Sequence, residues 1–265
     1  VILPVMNGYY NTIYEGIKNV LIRADYRVEL IITNDEEELE KNSIERLIKG
    51  HSAGLILATC QPYNTEVFDR IEASNIPFVL LEREVYQKTY NYVAFDNYHS
   101  VRSLVKGSKL RNKRLCLFAG IEGFRAEDDA VRAFIKTSAE AGRDNIEGDF
   151  VRTPFAEGSS FYSAVSFLEN NHTDYDCYLT TSKNIMKGLK SALDTLRPGK
   201  KYKIICLGES INDCFNQNEE ILFTPRSPYH LGNAAAGILK DNIDSPIVFE
   251  TRQLLIRDTE NLFNY

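Results

Sequence analysis

The chain has 265 residues, of which 43% are hydrophobic and 26% charged, enough apolar matter for a sizeable core in one or two lobes. Lysine and arginine number 31 against 37 aspartate and glutamate, a formal charge of −6. That balance disfavours a strongly basic nucleic-acid module, because phosphate contacts need clustered cations. No apolar run reaches the roughly 18 residues of a membrane span.

The pattern alternates strand and helix from end to end. Val1 to Met6 reads as a strand, and Tyr10 to Ala24 follows with Ile13, Ile17, Val20, Leu21 and Ala24 at helical spacing. Val28–Ile32 is a strand, Glu36–Lys49 a helix, Gly54–Ala58 a strand, Val67–Ala73 a helix and Pro77–Leu81 a strand. The pattern restarts with a strand at Tyr92–Phe95, a helix at Ser100–Leu110, a strand at Arg114–Ala119 and a helix at Ala126–Ala141. A helix at Ser159–Glu169, a strand at Cys177–Thr180, a helix at Ile185–Leu196 and a strand at Lys203–Leu207 come next. Ile221–Phe223 is a strand, Leu231–Asn242 a helix and Gln253–Ile256 a last strand. Apolar strands alternating with amphipathic helices mean parallel sheets covered on both faces, an α/β fold. About ten strands are near the limit of one open twisted sheet. Two lobes with a sheet each are the better reading, joined by short crossing strands, since no low-complexity linker appears. In such sheets ligands bind outside the carboxyl ends of the strands, so the residues just after each strand carry the functional information.

Tests for catalytic motifs are negative. No G-x-G-x-x-G, G-x-x-x-x-G-K-[ST] or G-x-S-x-G occurs. His51, His99, His172 and His230 form no H-x-x-x-H or H-x-H pair, which leaves a zinc site without support. His51 and His99 flank helices and read as exposed or capping residues. The acidic run Asp35–Glu38 and the pair Asp128-Asp129 open helices, where they complement the macrodipole. The five cysteines, Cys60, Cys116, Cys177, Cys206 and Cys214, include no C-x-x-C pair, and the odd count argues against a disulfide framework. They read as inert thiols in a reducing compartment. The sequence opens on Val1 without a signal peptide, as a trimmed or processed chain would.

The opening Ile2-Leu3-Pro4-Val5-Met6-Asn7-Gly8-Tyr9-Tyr10, running on to Gly16-Ile17, resembles the first strand and helix of the LacI/GalR regulatory domain. Ser52–Leu57 resembles the family's D-G-L-I strand, Ile76–Arg83 its I-P-V-V-L-L-D-R, and Val93–Asn97 its V-x-x-D-N. Lys113–Gly120 resembles R-I-A-F-I-G-G; Pro228–Gly232 and Leu254–Thr259 resemble the closing helix and tail. Each match is short, and their common order and spacing carry the resemblance. It implies two Rossmann-like lobes of the type I periplasmic-binding-protein kind joined by three crossovers. The N-terminal lobe would take 1–96 and 225–249, and the C-terminal lobe 97–224 and 250–265.

The resemblance also implies an effector pocket in the cleft between the lobes. Asn7, Tyr9 and Tyr10 follow the first strand; aromatics there stack on a sugar face, and Asn offers donors and an acceptor. The competing role for Tyr9 or Tyr10 is packing at the helix start. Glu82 stands where the family has Asp and would accept sugar hydroxyls, against an ion pair with Arg83 worth little. Phe155 matches an aromatic that packs on the effector in relatives, or is an ordinary core aromatic. Three departures matter more. Ala130 occupies the family's Arg site, Ser182 replaces an Asn, and Ser210 replaces a sugar-gripping Asp. Losing Arg and Asp removes charge-assisted hydrogen bonds of roughly 1.5–3 kcal/mol each. The ligand is therefore unusual, or sensing has been lost. Arg125, before the same helix, can restore the positive charge or be an exposed loop residue.

By resemblance this is the effector-binding and dimerisation domain of a bacterial LacI-type transcriptional regulator. Its expected partners are a carbohydrate-like effector, a second copy in a homodimer, and operator DNA reached through a helix-turn-helix that normally precedes this module. The expected location is the cytoplasm, with no membrane, metal or cofactor. An exported sugar-binding protein of an ABC transporter shares the fold and is the alternative. An enzyme on this scaffold has no nucleophile–base or metal constellation to rest on.

Overall fold

The computed structural model describes residues 1–61, 63, 66–85, 88–107, 110, 112–142, 148–208, 219–224, 226–244 and 251–258. In chain order these give β1 (Ile2–Leu3), α1 (Gly8–Leu21), β2 (Ile31–Ile32), α2 (Glu37–Lys49), β3 (Leu55–Leu57), α3 (Glu66–Ala73), β4 (Phe78–Leu81) and β5 (Tyr92–Phe95). Then come α4 (Asn97–Lys106), β6 (Leu115–Ala119), α5 (Arg125–Glu140), β7 (Phe150–Arg152), α6 (Glu157–Asn170), β8 (Cys177–Thr180), α7 (Lys183–Leu196), β9 (Tyr202–Cys206) and β10 (Glu219–Phe223). The helix α8 (Pro228–Asp244) and strand β11 (Gln253–Ile256) follow. No helix among the described residues is long and apolar enough to cross a membrane.

Two parallel sheets organise these elements, each in its own unit. The first unit holds residues 1–95, 123–125 and 227–256, with strand order β11-β5-β4-β3-β1-β2. The second holds 96–122, 126–226 and 257–265, with order β10-β9-β8-β6-β7. Every described pairing is parallel. Four apolar clusters cover the four sheet faces. In the first unit, Ile13, Ile17, Leu231 and Leu239 of α1 and α8 pack on one face, and Ile44, Leu47, Phe68 and Ile71 of α2 and α3 on the other. In the second, Val101, Leu104 and Phe134 of α4 and α5 oppose Leu168, Ile185 and Leu189 of α6 and α7. Each fully buried aliphatic or Phe side chain contributes roughly 1.5–3 kcal/mol. The contact of α1 with α8 needs two glycines. A Cβ on Gly16 would overlap the Tyr229 carbonyl, and one on Gly232 the Ile13 carbonyl.

The structure revises several boundaries. β1 stops at Leu3 because Pro4 has no N–H to donate to the ladder, and Val5 and Met6 are exposed instead of buried. α4 starts at Asn97 and not Ser100, because Asp96 caps it by accepting from the His99 N–H at 2.9 Å; Gly107 ends it. β7 has no counterpart in the sequence reading. It is a half-buried edge strand carrying Arg152, and offers no apolar run to detect. Residues 251–256, expected in the C-terminal lobe, belong to the first unit: Gln253–Ile256 pairs with Tyr92–Phe95. The chain passes into the second unit for the last time after Ile256.

Candidate ligand-binding strand ends

In the first unit, polar residues gather just past the apolar strands. Asn7 caps α1, its Oδ1 accepting from the Tyr10 N–H at 3.0 Å. Tyr9 is half-buried and meets Tyr10 edge-on, ring centres 5.4 Å apart. Tyr10 is buried, and burial first, then the charges of Glu82 and Asp35 against that of Arg83, pushes its phenol up to about 12. Its hydroxyl is hydrogen-bonded to Arg83. Arg83 pairs with Asp35, donates to the Thr59 carbonyl at 3.3 Å, and lies 5.1 Å from the Phe124 ring centre. Glu82 holds a left-handed backbone at φ 62°, a conformation costly for a side chain this long. Three hydrogen bonds hold it there. Its N–H donates to the Val93 carbonyl at 2.8 Å, its carbonyl accepts from the Tyr92 hydroxyl at 3.2 Å, and its carboxylate accepts from the Phe95 N–H at 3.3 Å.

Beneath this surface lies Glu40, fully buried in the first turn of α2. Its carboxyl accepts from the Thr59 hydroxyl at 2.6 Å, the Cys60 N–H at 2.8 Å and the Gln61 amide at 3.2 Å. Burial raises its pKa despite these donors. The same burial, with Glu40 beside it, raises the Cys60 thiol and so suppresses the nucleophilic thiolate. Glu84, also buried, accepts from Arg125 at 2.7 Å and from the Gln253 amide.

The second unit's strand ends are arranged around Gly120, next after β6. Its N–H donates to the Glu127 carboxyl at 2.6 Å, with the Thr181 hydroxyl 3.2 Å away. Glu127 is buried in the first turn of α5, and burial raises its pKa against the hydrogen bonds of Thr181 and Gly120. The Phe155 ring occupies the space a Cβ on Gly120 would need. Ser182 caps α7, accepting from the Ile185 N–H at 3.3 Å. No group of three or more His, Cys, Asp or Glu that could hold a metal occurs among the described residues.

Residues 3–199 match the family described as periplasmic binding proteins and sugar binding domain of LacI family. The chain belongs to this family. Solved structures similar to it include the Cra transcriptional dual regulator of Pseudomonas putida in complex with fructose 1-phosphate. That protein is 15% identical with a TM-score of 0.84, covering 97% of this chain and 95% of its own. The complex of the transcriptional regulator CelR with cellobiose is 15% identical with a TM-score of 0.82, covering 97% and 80%. A sugar transporter from Clostridium phytofermentans is 12% identical with a TM-score of 0.76, covering 94% and 93%. Among curated proteins no sequence matches.

Within this family fold, the structure brings Tyr10, Glu82 and Arg83 together at the strand ends of the first unit, with Asn7 and Tyr9 at the start of the adjoining α1. Phe155 and Ser182 belong to the second unit, and Ser210 lies outside the described residues. Arg125 falls in the first unit with its guanidinium bound by Glu84. Ala130, which the resemblance aligns with the family's Arg site, is fully buried in the same core cluster as Phe134. Asp35, Glu40, Glu84 and Phe124 escaped the sequence reading. Asp35 follows β2 closely enough for the strand-end rule to have found it, but the neighbouring Glu36–Glu38 made it read as part of a helix start. Glu40 carried no signal, since it sits in an acidic helix and only packing shows it buried.

Proposed function

We propose that this chain is the effector-sensing domain of a cytoplasmic LacI-type transcriptional regulator that acts as a homodimer. In this reading it engages operator DNA through a helix-turn-helix outside residues 1–265. The observation that carries the reading is the contrast within the family fold between apolar strands and the hydrogen-bonding residues that end them. Asn7, Tyr9, Tyr10 and Glu82 would offer a stacking face, amide donors and a carboxylate acceptor to a carbohydrate-like ligand. Phe155 and Ser182 are the proposed ligand contacts of the second unit, and Arg125 of the first would contribute only by leaving Glu84. Binding alters DNA affinity only as far as the ligand prefers one of two states. The residues named act by holding a ligand, and no reaction is assigned to them.

Titration calorimetry against a panel of neutral sugars and sugar phosphates tests this. Saturable binding that Tyr10→Ala and Glu82→Ala each weaken about tenfold supports it, one charge-assisted hydrogen bond or stacking face being worth about 1.5 kcal/mol. Unchanged affinity in both variants removes these residues from the site. The solved sugar transporter of the same fold supports a second reading, an exported binding protein. Operator binding by the intact protein decides between the two.

A further inference from the structure

We propose that the second unit carries a separate binding site for a small phosphorylated molecule on the outer face of α4. A groove of about 600 Å³ opens there, within the range of small-ligand pockets. His99, Arg102, Ser103 and Lys106 line it at helical spacing, so they share one face of α4, and Arg257 faces them from the segment after β11. All of these residues belong to the second unit.

The charges decide what this groove attracts. Arg102, Lys106 and Arg257 are cations; Asp96 and Glu140 are the carboxylates that face them. Lys106 lies 2.7 Å from Glu140, and the Arg257 Nε lies 3.4 Å from Asp96 with its side chain 68% exposed. Among the described residues Arg102 makes no hydrogen bond or ion pair, and it acts on Glu140 only through space. Asp258, next to Arg257, is already held by Arg226 at 2.7 Å and adds no free negative charge. The groove thus has one surplus cation on a chain of charge −6, and its geometry adds to that. Two guanidinium forks match the oxygens of a phosphoryl group, and an ammonium adds a point charge; the Ser103 hydroxyl lies 3.4 Å from His99 Nε2 beside them. Tyr98, the aromatic of the groove, lies against Arg132 with 5.2 Å from guanidinium to ring centre. The three cations that line the groove make the phosphoryl group the recognised part.

This site is independent of the strand-end site. Its test is an amide NMR titration of the whole chain with inorganic phosphate, glycerol phosphate and, as a neutral control, glycerol. The expected result is saturable shifts at His99, Arg102 and Ser103 with a Kd on the order of 1 mM for the phosphomonoester. Arg102→Gln and Arg257→Gln should each weaken it about fivefold, and the double variant should abolish it. Lys240→Gln, on α8, should leave it unchanged. Absence of saturation up to about 30 mM, equal binding by glycerol, or unaltered binding in the double variant would each overturn the proposal. Binding of inorganic phosphate without the phosphomonoester would overturn the assignment to a phosphorylated molecule.

Discussion

Both units place charged groups under their strand ends, and they stabilise them to different degrees. Each buries a carboxyl from the first turn of a helix against an N–H just past a strand: Glu40 on Cys60 in the first, Glu127 on Gly120 in the second. Each also has an Arg–Asp pair. In the first, Arg83 is 9% exposed but Asp35 is 46% exposed. In the second, Arg226 and Asp258 are 4% and 1% exposed, with the Ser100 hydroxyl bonded to both. The first unit's pair thus reaches water from one side, through Asp35. The buried pair lies close to where the chain changes units, after 226 and after 256, and serves as structure. The lesson is that burial of the weaker-held partner, and not the presence of an ion pair, separates an adaptable polar surface from a fixed one.

The largest effect should come from breaking the buried pair. Arg226→Met strands Asp258 without water or cation and should cost about 3–5 kcal/mol in urea unfolding. Arg83→Met leaves Asp35 free to hydrate, so its cost should stay near 1–2 kcal/mol. Equal losses would erase the distinction. Next, Glu40→Ala orphans four donors, the Thr59 hydroxyl, the Cys60 N–H and thiol and the Gln61 amide, where Glu127→Ala orphans two, so the first should cost more, about 2–3 kcal/mol against about 1–2.

Acidity sharpens the likeness between these two carboxyls. Burial raises both above the ordinary 4.5, so the folded chain holds protons that the unfolded chain releases. The stability this adds is complete below pH 4.5 and is lost as pH rises through the folded values. The stability of the native protein relative to Glu127→Gln should accordingly fall as pH rises from about 4 to about 8. A flat difference would mean that Glu127 is not strained by burial. The smallest effect belongs to Glu82. Glu82→Gly relieves its left-handed backbone but also removes the carboxylate bond to Phe95, a net gain of no more than about 1 kcal/mol. A loss above that would show the carboxylate contact outweighing the strain.

The fold was legible because each strand is a short apolar run and each covering helix has one apolar stripe. The exceptions had no such signal: β7 is half-buried and carries Arg152, and β1 is cut short by Pro4. The candidate site was legible in part. Glu82 stands directly after β4, and Asn7, Tyr9 and Tyr10 stand at the start of the helix that follows β1, where Tyr10 is buried. Arg125 read as a free cation because its partner Glu84 lies 41 residues away. Arg83 read as the neighbour of Glu82, and the structure pairs it with Asp35, 48 residues earlier.

Composition and periodicity alone determined two parallel sheets with helices on both faces, because burying apolar strands on two sides leaves few other arrangements. The order of short motifs determined the family. Tertiary structure decided which charges face water and which face each other. Gln253–Ile256 joined the first sheet because it could complete the edge beside β5. Glu40 and Glu127 became buried carboxyls because packing brought distant N–H groups to them. Such pairings depend on separations of 7 to 161 residues along the chain, from Glu127 with Gly120 to Gln253 with Tyr92, and no local pattern encodes them.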